Sequence, residues 1–93
     1  NQTERGSRSV YVFDQPESRI TPIMEHLERT YAGLRSYSLP TVGRTDSDGR
    51  YIPPHIEFGI KAEGEACRLL DAAWVDALQG LQAIGATLKE TVE

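Results

Sequence analysis

Few residues in this chain have the type and spacing that chemistry requires. The two histidines, His26 and His55, are far apart in the sequence, and no cluster of Cys, His or Asp at ligand spacing accompanies them. They could share a metal ion only if the fold joined them. We interpret His26 as a surface or half-buried helix residue and place His55 at the start of a strand, on its polar face. The sequence therefore predicts no metal site.

Cys67 and an acidic loop are the other candidates for chemistry. A helix N-terminus can lower the pKa of a thiol, but Cys67 stands among alanines and we interpret it as a small apolar core residue. Asp46, Asp48 and Gly49 resemble part of a calcium loop, yet the glycine comes two positions too early for an EF-hand. We predict a solvated turn there. Because phosphate-binding and nucleophile motifs are also absent from the sequence, we predict no catalytic residue and no cofactor.

The composition indicates a small acidic domain. The 93 residues carry a net charge of −4, so no overall field attracts nucleic acid or an anionic membrane. One cysteine fits a reducing compartment, and no apolar run reaches the roughly 20 residues of a membrane helix; we therefore expect a cytoplasmic location. The first residue is Asn, and we expect a domain from the C-terminal part of a longer protein, with residues 1–7 a linker or disordered end and residues 8–93 a single α+β domain.

The clearest structural signal is a period-two strand in the second half of the chain. Residues 55–62 alternate polar and apolar side chains, which predicts one apolar and one polar face and hence a sheet with helices on one side. Residues 9–13 are rich in β-branched and aromatic side chains and predict another strand. Residues 34–42 predict a third strand, which should lie at a sheet edge because Pro40 cannot donate a backbone hydrogen bond. A polar loop over residues 43–50 precedes the 55–62 strand.

Two helices are predicted by apolar residues at helical spacing. The first is marked by Ile20, Ile23, Leu27 and Tyr31. It begins near Pro16 or at an N-cap on Thr21. The second is marked by Leu70, Trp74, Leu78 and Leu81, a stripe that we expect to pack on the apolar face of the 55–62 strand. Residues 86–93 fit either a short fourth strand or a frayed helix.

The resulting order, β-α-β-β-α, predicts an α+β fold. We expect a two-layer half-sandwich of the ferredoxin-like or KH-like kind, with an antiparallel or mixed sheet and the helices on one face. A KH domain holds nucleic acid with a G-x-x-G loop, and no two glycines of this chain have that spacing. Because the chain is also acidic, we predict no nucleic-acid binding.

Four segments of the sequence are similar to motifs of one known family. Residues 9–13 and 16–20 look like its first strand and its G-x-x-E-S-x-I/L motif, residues 34–40 resemble its G-S-Y-P strand, and residues 56–62 resemble its alternating strand before the last helix. The family is competence/damage-inducible protein A (CinA) with related molybdopterin-binding-like proteins, and the resemblance, over about residues 8–85, is to the C-terminal, KH-like subdomain. Arg35 stands where this family has a glycine.

The resemblance implies that any chemistry of the parent protein lies outside this chain. In the family, nucleotide pyrophosphatase activity and molybdopterin-like binding belong to an N-terminal domain, and no catalytic residue of the family maps to the matching segments. The resemblance therefore implies a MoaB/MogA-like N-terminal domain of the same chain as the partner. We add a second copy of the chain, in a homodimer, as another partner.

We therefore expect a non-catalytic accessory or interaction domain that supports domain packing or oligomerisation. The predicted contact is the edge strand, with Arg35, Ser36, Tyr37 and Pro40 as interaction residues, because an unpaired strand edge is a template for pairing. The alternative is a small-ligand regulatory module, as ferredoxin-like ACT domains are, using the hairpin loop and the helix ends. In the sequence, only residues 14–16 place pocket-forming side chains at a strand–helix turn.

Overall fold

A computed structural model of the protein describes residues 4–91. Its elements, in chain order, are β1 (Arg5–Phe13), α1 (Glu17–Thr30), β2 (Arg35–Thr41), β3 (Arg44–Thr45), β4 (Tyr51–Ile52), β5 (His55–Glu63), a 3₁₀ helix (Gly64–Leu69), α2 (Leu70–Ala83) and β6 (Thr87–Glu90). Within residues 4–91, no helix is long and apolar enough to cross a membrane.

Strands β2, β5, β1 and β6 form one antiparallel sheet in that order. Two β-α-β units build it, because α1 joins β1 to β2 and α2 joins β5 to β6. The fold is therefore α+β, with two helices packed on a four-stranded sheet. Two predictions are confirmed: the strand that contains Pro40 lies at an edge, and the strand with the strict alternation lies in the interior of the sheet.

Strand β5 supplies the centre of the core. Ile56, Phe58, Ile60 and Ala62 are at most 6% exposed, as the alternation predicts. They face the helices together with Val10 and Val12 of β1, which pair with Phe58 and Ile56. Burying side chains of this size contributes about 1.5–3 kcal/mol each, so this strand dominates the stability of the sheet.

The buried stripe of α2 differs from the predicted one. It consists of Leu70, Ala73, Ala77 and Leu81. Trp74 and Leu78 are only partly buried. The predicted stripe is confirmed for Leu70, Leu81 and Trp74, which belong to the core or pack against it, and not for Leu78. The two alanines occupy the line of closest approach because small side chains let the helix lie near its neighbours. Trp74 instead reaches the core from the side and stacks on Phe58, with ring centroids 6.0 Å apart.

Strand β1 begins earlier than predicted. Residues 5–7, assigned above to a linker or disordered end, pair with β5, with Gly6 opposite Ala62 and Ser7 opposite Lys61. These residues have no apolar pattern that would predict a strand. Their extended conformation comes from backbone pairing with β5. A Cβ on Gly6 would lie 2.3 Å from Cδ1 of Leu70, so glycine is needed for that leucine to pack. Residues 1–3 lie outside the described residues.

Helix α1 begins at Glu17, directly after Pro16. Thr21 is therefore inside the helix, where its hydroxyl donates to the carbonyl oxygen of Glu17 (3.1 Å), and the N-cap predicted at Thr21 is wrong. The alternative start near Pro16 is confirmed.

The last part of the chain resolves to a strand. Thr87 to Glu90 pair with β1 as β6, which confirms the strand alternative for those residues. The final positions of the predicted 86–93 segment, 92 and 93, lie outside the described residues.

The polar loop contains a short hairpin, β3 paired with β4, that the sequence analysis does not predict. Its turn is organised by Asp46, whose Oδ1 accepts the backbone N–H groups of Asp48 (2.9 Å) and Arg50 (3.0 Å). The predicted turn is confirmed. The Asp46 side chain accepts backbone N–H groups there, as Asp often does in turns.

Candidate functional site

Alternate residues of the four strands point away from the helices and form what we call the open face. The pairing register and one ring contact place them in five cross-strand rows: Arg5 and Glu63; Arg35, Lys61 and Ser7; Tyr37, Gly59 and Ser9; Leu39, Glu57, Tyr11 and Lys89; Thr41, His55, Phe13 and Thr87. The polar character predicted from β5 is wrong for the face as a whole, because β1 and β2 add aromatic side chains.

His55 is the buried centre of an aromatic cluster on the open face. It is 9% exposed, and its ring centroid lies 4.7 Å from that of Tyr11 and 5.0 Å from that of Phe13. Its Nδ1 lies 3.0 Å from the carbonyl oxygen of Pro53, which can only accept, so Nδ1 carries a proton and donates. His55 therefore holds the rings of Tyr11 and Phe13 in place. It lies on the open face, whereas His26 lies on helix α1, so the fold does not join the two histidines.

Tyr37 lies flat on β5 because residue 59 is glycine. A Cβ at Gly59 would lie within 2.4 Å of the Tyr37 ring. The Tyr37 hydroxyl donates to Glu57 (3.0 Å), and Nζ of Lys61 lies 5.2 Å from the ring centroid. Burial raises the pKa of Tyr37, and the hydrogen bond to the Glu57 carboxylate raises it further. Tyr37 is thus fixed by its neighbours and offers a ring face to solvent.

The predicted interaction residues divide between two surfaces. Arg35 and Tyr37 lie on the open face, whereas Ser36 and Pro40 alternate with them and point to the other side. The structure therefore does not bring the four side chains together.

The edge of β2 has few free hydrogen-bond donors. Ser36 gives its backbone N–H (2.7 Å) and its hydroxyl (2.6 Å) to the carboxylate of Glu28, so that N–H points away from β5. Alternation along an antiparallel strand directs the positions of Ser38 and Pro40 outward as well. Proline has no N–H, so only Ser38 offers a backbone donor between Ser36 and Pro40 along this edge. The edge is poorly suited to strand addition.

Exposed apolar side chains gather at the hairpin end of the molecule. Among residues 4–91 four large hydrophobic side chains are exposed, and three of them, Leu39 (54%), Val42 (81%) and Tyr51 (66%), belong to β2, the following loop and β4. We call these three the hairpin patch. The Tyr51 hydroxyl lies against Gly43, next to Val42. The fourth, Val75, is on α2.

A groove of about 530 Å³ runs between the β3–β4 hairpin and the open ends of β1 and β6. We call it the hairpin groove. Its lining comprises Tyr11, Phe13, Asp14, Asp46, Arg50, Tyr51, Ile52, Pro53, Thr87, Lys89 and Glu90. Asp14 has a φ of +65° and is the one non-glycine residue of the described chain in the left-handed region. Asp14 belongs to the strand–helix turn at residues 14–16 noted from the sequence, whereas Arg50, Tyr51 and Lys89 reach the groove from segments far apart in the sequence.

A second polar cluster joins the outer surfaces of the two helices. Asp76 Oδ2 lies 2.9 Å from Nε2 of His26 and accepts the hydroxyl of Tyr31 at 3.0 Å. This hydrogen bond raises the pKa of Tyr31. His26 is exposed, as one of the predicted alternatives has it. The cluster ties α1 to α2, so we assign it a structural role.

Cys67 behaves as the sequence predicts. It lies in the 3₁₀ helix, partly buried against the hydrophobic core, and its Sγ is 3.5 Å from the carbonyl oxygen of Ala62. Within residues 4–91, no group of three or more His, Cys, Asp or Glu side chains could hold a metal ion.

Comparison with protein-family models, with curated proteins and with solved structures finds no match to this chain. The resemblance to the C-terminal region of CinA therefore stays a prediction.

Proposed function

We propose that this chain is a non-catalytic accessory domain that works by association, supporting domain packing or oligomerisation in a CinA-like, molybdopterin-binding-like protein. The observation that carries the proposal is the hairpin patch. Leu39, Val42 and Tyr51 are more than half exposed on neighbouring segments, and grouped exposed apolar side chains are typical of protein interaction sites. Their partner is a second copy of the chain or a MoaB/MogA-like domain of the parent protein.

For the finer fold we propose the ferredoxin-like arrangement and not the KH-like one. Support comes from the strand order β2-β5-β1-β6, in which each of the two β-α-β units leaves room for one strand of the other. This arrangement leaves one face of the sheet without helices. An uncovered face is where an accessory domain can meet its partner.

The contact that we propose is on the open face and not along the β2 edge. Arg35 and Tyr37, two of the predicted interaction residues, stay part of it because they point to that face. Ser36 and Pro40 act against edge pairing, because Ser36 donates its backbone N–H to Glu28 and Pro40 has no N–H. Ser36 and Pro40 thereby limit association to the open face of the sheet.

Association is tested by changing the hairpin patch alone. The double variant Leu39→Ser/Val42→Ser removes two exposed apolar side chains without touching the core, so we expect it to fold and to remain monomeric. Light scattering over a concentration series should show the unchanged chain gaining mass with concentration. Val75→Ser is the matched control, because Val75 is 56% exposed on α2 and lies outside the patch. Equal behaviour of all three proteins would contradict a second copy of the chain as the partner at the hairpin patch.

The absence of catalysis needs its own assay. We expect no hydrolysis of ADP-ribose or related pyrophosphates by the purified chain above a buffer blank. Turnover that follows the protein through purification would contradict the accessory-domain proposal.

A second candidate function, a small-ligand regulatory module, is favoured by a separate observation. The hairpin groove has a volume of about 530 Å³, within the range of small-molecule sites. It combines aromatic walls with charged side chains of both signs, which a surface for protein contact alone does not require.

A further inference from the structure

We propose that the hairpin groove binds a small zwitterionic aromatic molecule, of the size and charge pattern of an aromatic amino acid. The proposal rests on the second candidate function above and names its ligand. It does not depend on association through the hairpin patch.

The floor and one wall of the groove are aromatic. Tyr11 and Phe13 form the floor, and the buried ring of His55 packs beside both, at 4.7 and 5.0 Å between centroids. Tyr51 stands on the hairpin side and is 66% exposed. Aromatic rings prefer offset-stacked or edge-to-face neighbours. A planar ring entering the groove would contact the fixed floor and cover part of Tyr51.

The charges of the groove have both signs. Within residues 4–91, the side chains of Arg50 and Lys89 take part in no ion pair. Of the three carboxylates, Asp46 is committed to the hairpin turn through two N–H groups. Glu90 is in register with Val10, which points to the helices. Asp14 remains, with one oxygen at 3.4 Å from the Thr87 hydroxyl.

This charge pattern matches a ligand that carries one carboxylate and one ammonium group. Arg50 and Lys89 would pair with the carboxylate, because a guanidinium and an ammonium both donate to it. Asp14 would accept the ammonium. A nucleotide lacks the cationic group that Asp14 requires, and its phosphate would be repelled by both Asp14 and Asp46. The mixed lining therefore favours a zwitterion over a simple anion.

Asp14 has an unusual backbone conformation. Its φ of +65° belongs to the left-handed region, which Asp and Asn tolerate better than most residues. The residue directly follows β1 and lines the groove. Because Asn adopts the same backbone, Asp14→Asn removes the charge and keeps the fold.

The test is an NMR titration of the ¹⁵N-labelled chain with L-phenylalanine and two analogues. 3-Phenylpropionate lacks the ammonium group, and phenethylamine lacks the carboxylate. We expect L-phenylalanine to shift the amide signals of Asp14, Arg50, Tyr51 and Lys89 with a dissociation constant below about 1 mM. Each analogue should bind about tenfold more weakly. The indole N–H of Trp74, in the other layer, should not move.

Variants then assign each charge to its partner. Arg50→Gln and Lys89→Gln should weaken L-phenylalanine and leave phenethylamine unchanged. Asp14→Asn should weaken L-phenylalanine and leave 3-phenylpropionate unchanged. Arg44→Gln is the matched control, because Arg44 lies on the same hairpin and does not line the groove.

Three results would overturn the proposal. The first is no shift at the groove amides up to about 10 mM ligand, and the second is equal affinity for all three compounds. The third is tighter binding of adenosine monophosphate or of a single-stranded oligonucleotide, which would identify another class of ligand. The Leu39→Ser/Val42→Ser variant should still bind L-phenylalanine, so failure of the association proposal and failure of this one are distinguishable.

Discussion

Glu28 is the residue that connects helix α1 to the outer strand β2. Its carboxylate accepts two hydrogen bonds from Ser36, at 2.6 Å from the hydroxyl and 2.7 Å from the backbone N–H. These bonds favour the charged form, so the pKa of Glu28 lies below its usual 4.5, with the side-chain bond as the largest cause and Arg35 as a smaller one. The Glu28 carboxylate thus anchors β2 and takes up the Ser36 backbone N–H, a donor on the edge of the sheet.

The stability that Glu28 contributes should depend on pH in a defined direction. Because its pKa is lower in the folded than in the unfolded chain, the contribution is complete above pH 4.5 and disappears as the pH falls through the lowered value. We expect the melting temperature of Glu28→Gln to lie below that of the unchanged chain at neutral pH. The gap should close under acid conditions.

Thermal unfolding from pH 7 to pH 3 measures this gap. Glu25→Gln is the control, since Glu25 lies on the same helix and makes no hydrogen bond to another described residue. A gap of constant size across the range would show that Ser36 does not stabilise the charged form.

Single residues also show where sequence reasoning about the site stops. Cys67 and the Asp46 turn are predicted correctly because their neighbours in sequence decide their environment. Arg50 and Lys89 are not predicted, because they line one groove from segments far apart in the sequence, with Lys89 placed by the pairing of β6 with β1. Besides the turn at residues 14–16, Tyr51, an aromatic residue just after a polar loop, is a local signal that could have pointed to the groove.

At the scale of elements, the strength of a periodic pattern decides what is predictable. Strand β5 is identified from its alternation because one of its faces is fully buried. The start of β1 is missed because Gly6 and Ser7 carry no apolar signal, although β5 pairs with both. The buried stripe of α2 is predicted only in part. A prediction from side-chain size favours the large Trp74, whereas a close contact between the helix and its neighbours favours the small Ala73 and Ala77.

The Gly6 contact gives a test at this scale. Gly6→Ala would place a methyl group 2.3 Å from Leu70 Cδ1, and Leu70 is buried at the start of α2. Overpacking of this kind costs about 1–3 kcal/mol in free energy of unfolding, which urea denaturation measures. Ser7→Ala, at a neighbouring exposed position, should change stability by less than about 0.5 kcal/mol. Unaltered stability of Gly6→Ala would support the linker interpretation of residues 5–7 instead.

At the scale of the whole molecule, the charge is unevenly distributed. Helix α1 carries Glu17, Glu25 and Glu28 against Arg19 and Arg29, and α2 carries Asp71 and Asp76. The two helices therefore have five negative and two positive side chains, a net charge of −3. The open face carries Arg35, Lys61 and Lys89 against Glu57, while Arg5 pairs with Glu63 at 3.3 Å. The open face is therefore mildly basic in a chain whose net charge is −4.

An aromatic, mildly basic sheet face invites comparison with the sheets on which some proteins stack RNA bases. Here Glu57 lies between Leu39 and Tyr11 in the middle of the face, where it would repel a phosphate backbone. Three cations make few phosphate contacts, and for single strands each contact steepens the salt dependence of log K by about 0.7.

We expect weak binding of single-stranded RNA at low salt and none at about 0.15 M salt. Fluorescence anisotropy of a labelled oligonucleotide measures both conditions, with Glu57→Gln expected to strengthen only the low-salt binding. Micromolar affinity at the higher salt would mean that the open face reads nucleic acid, and both the association and the amino-acid proposals would then need to be revised.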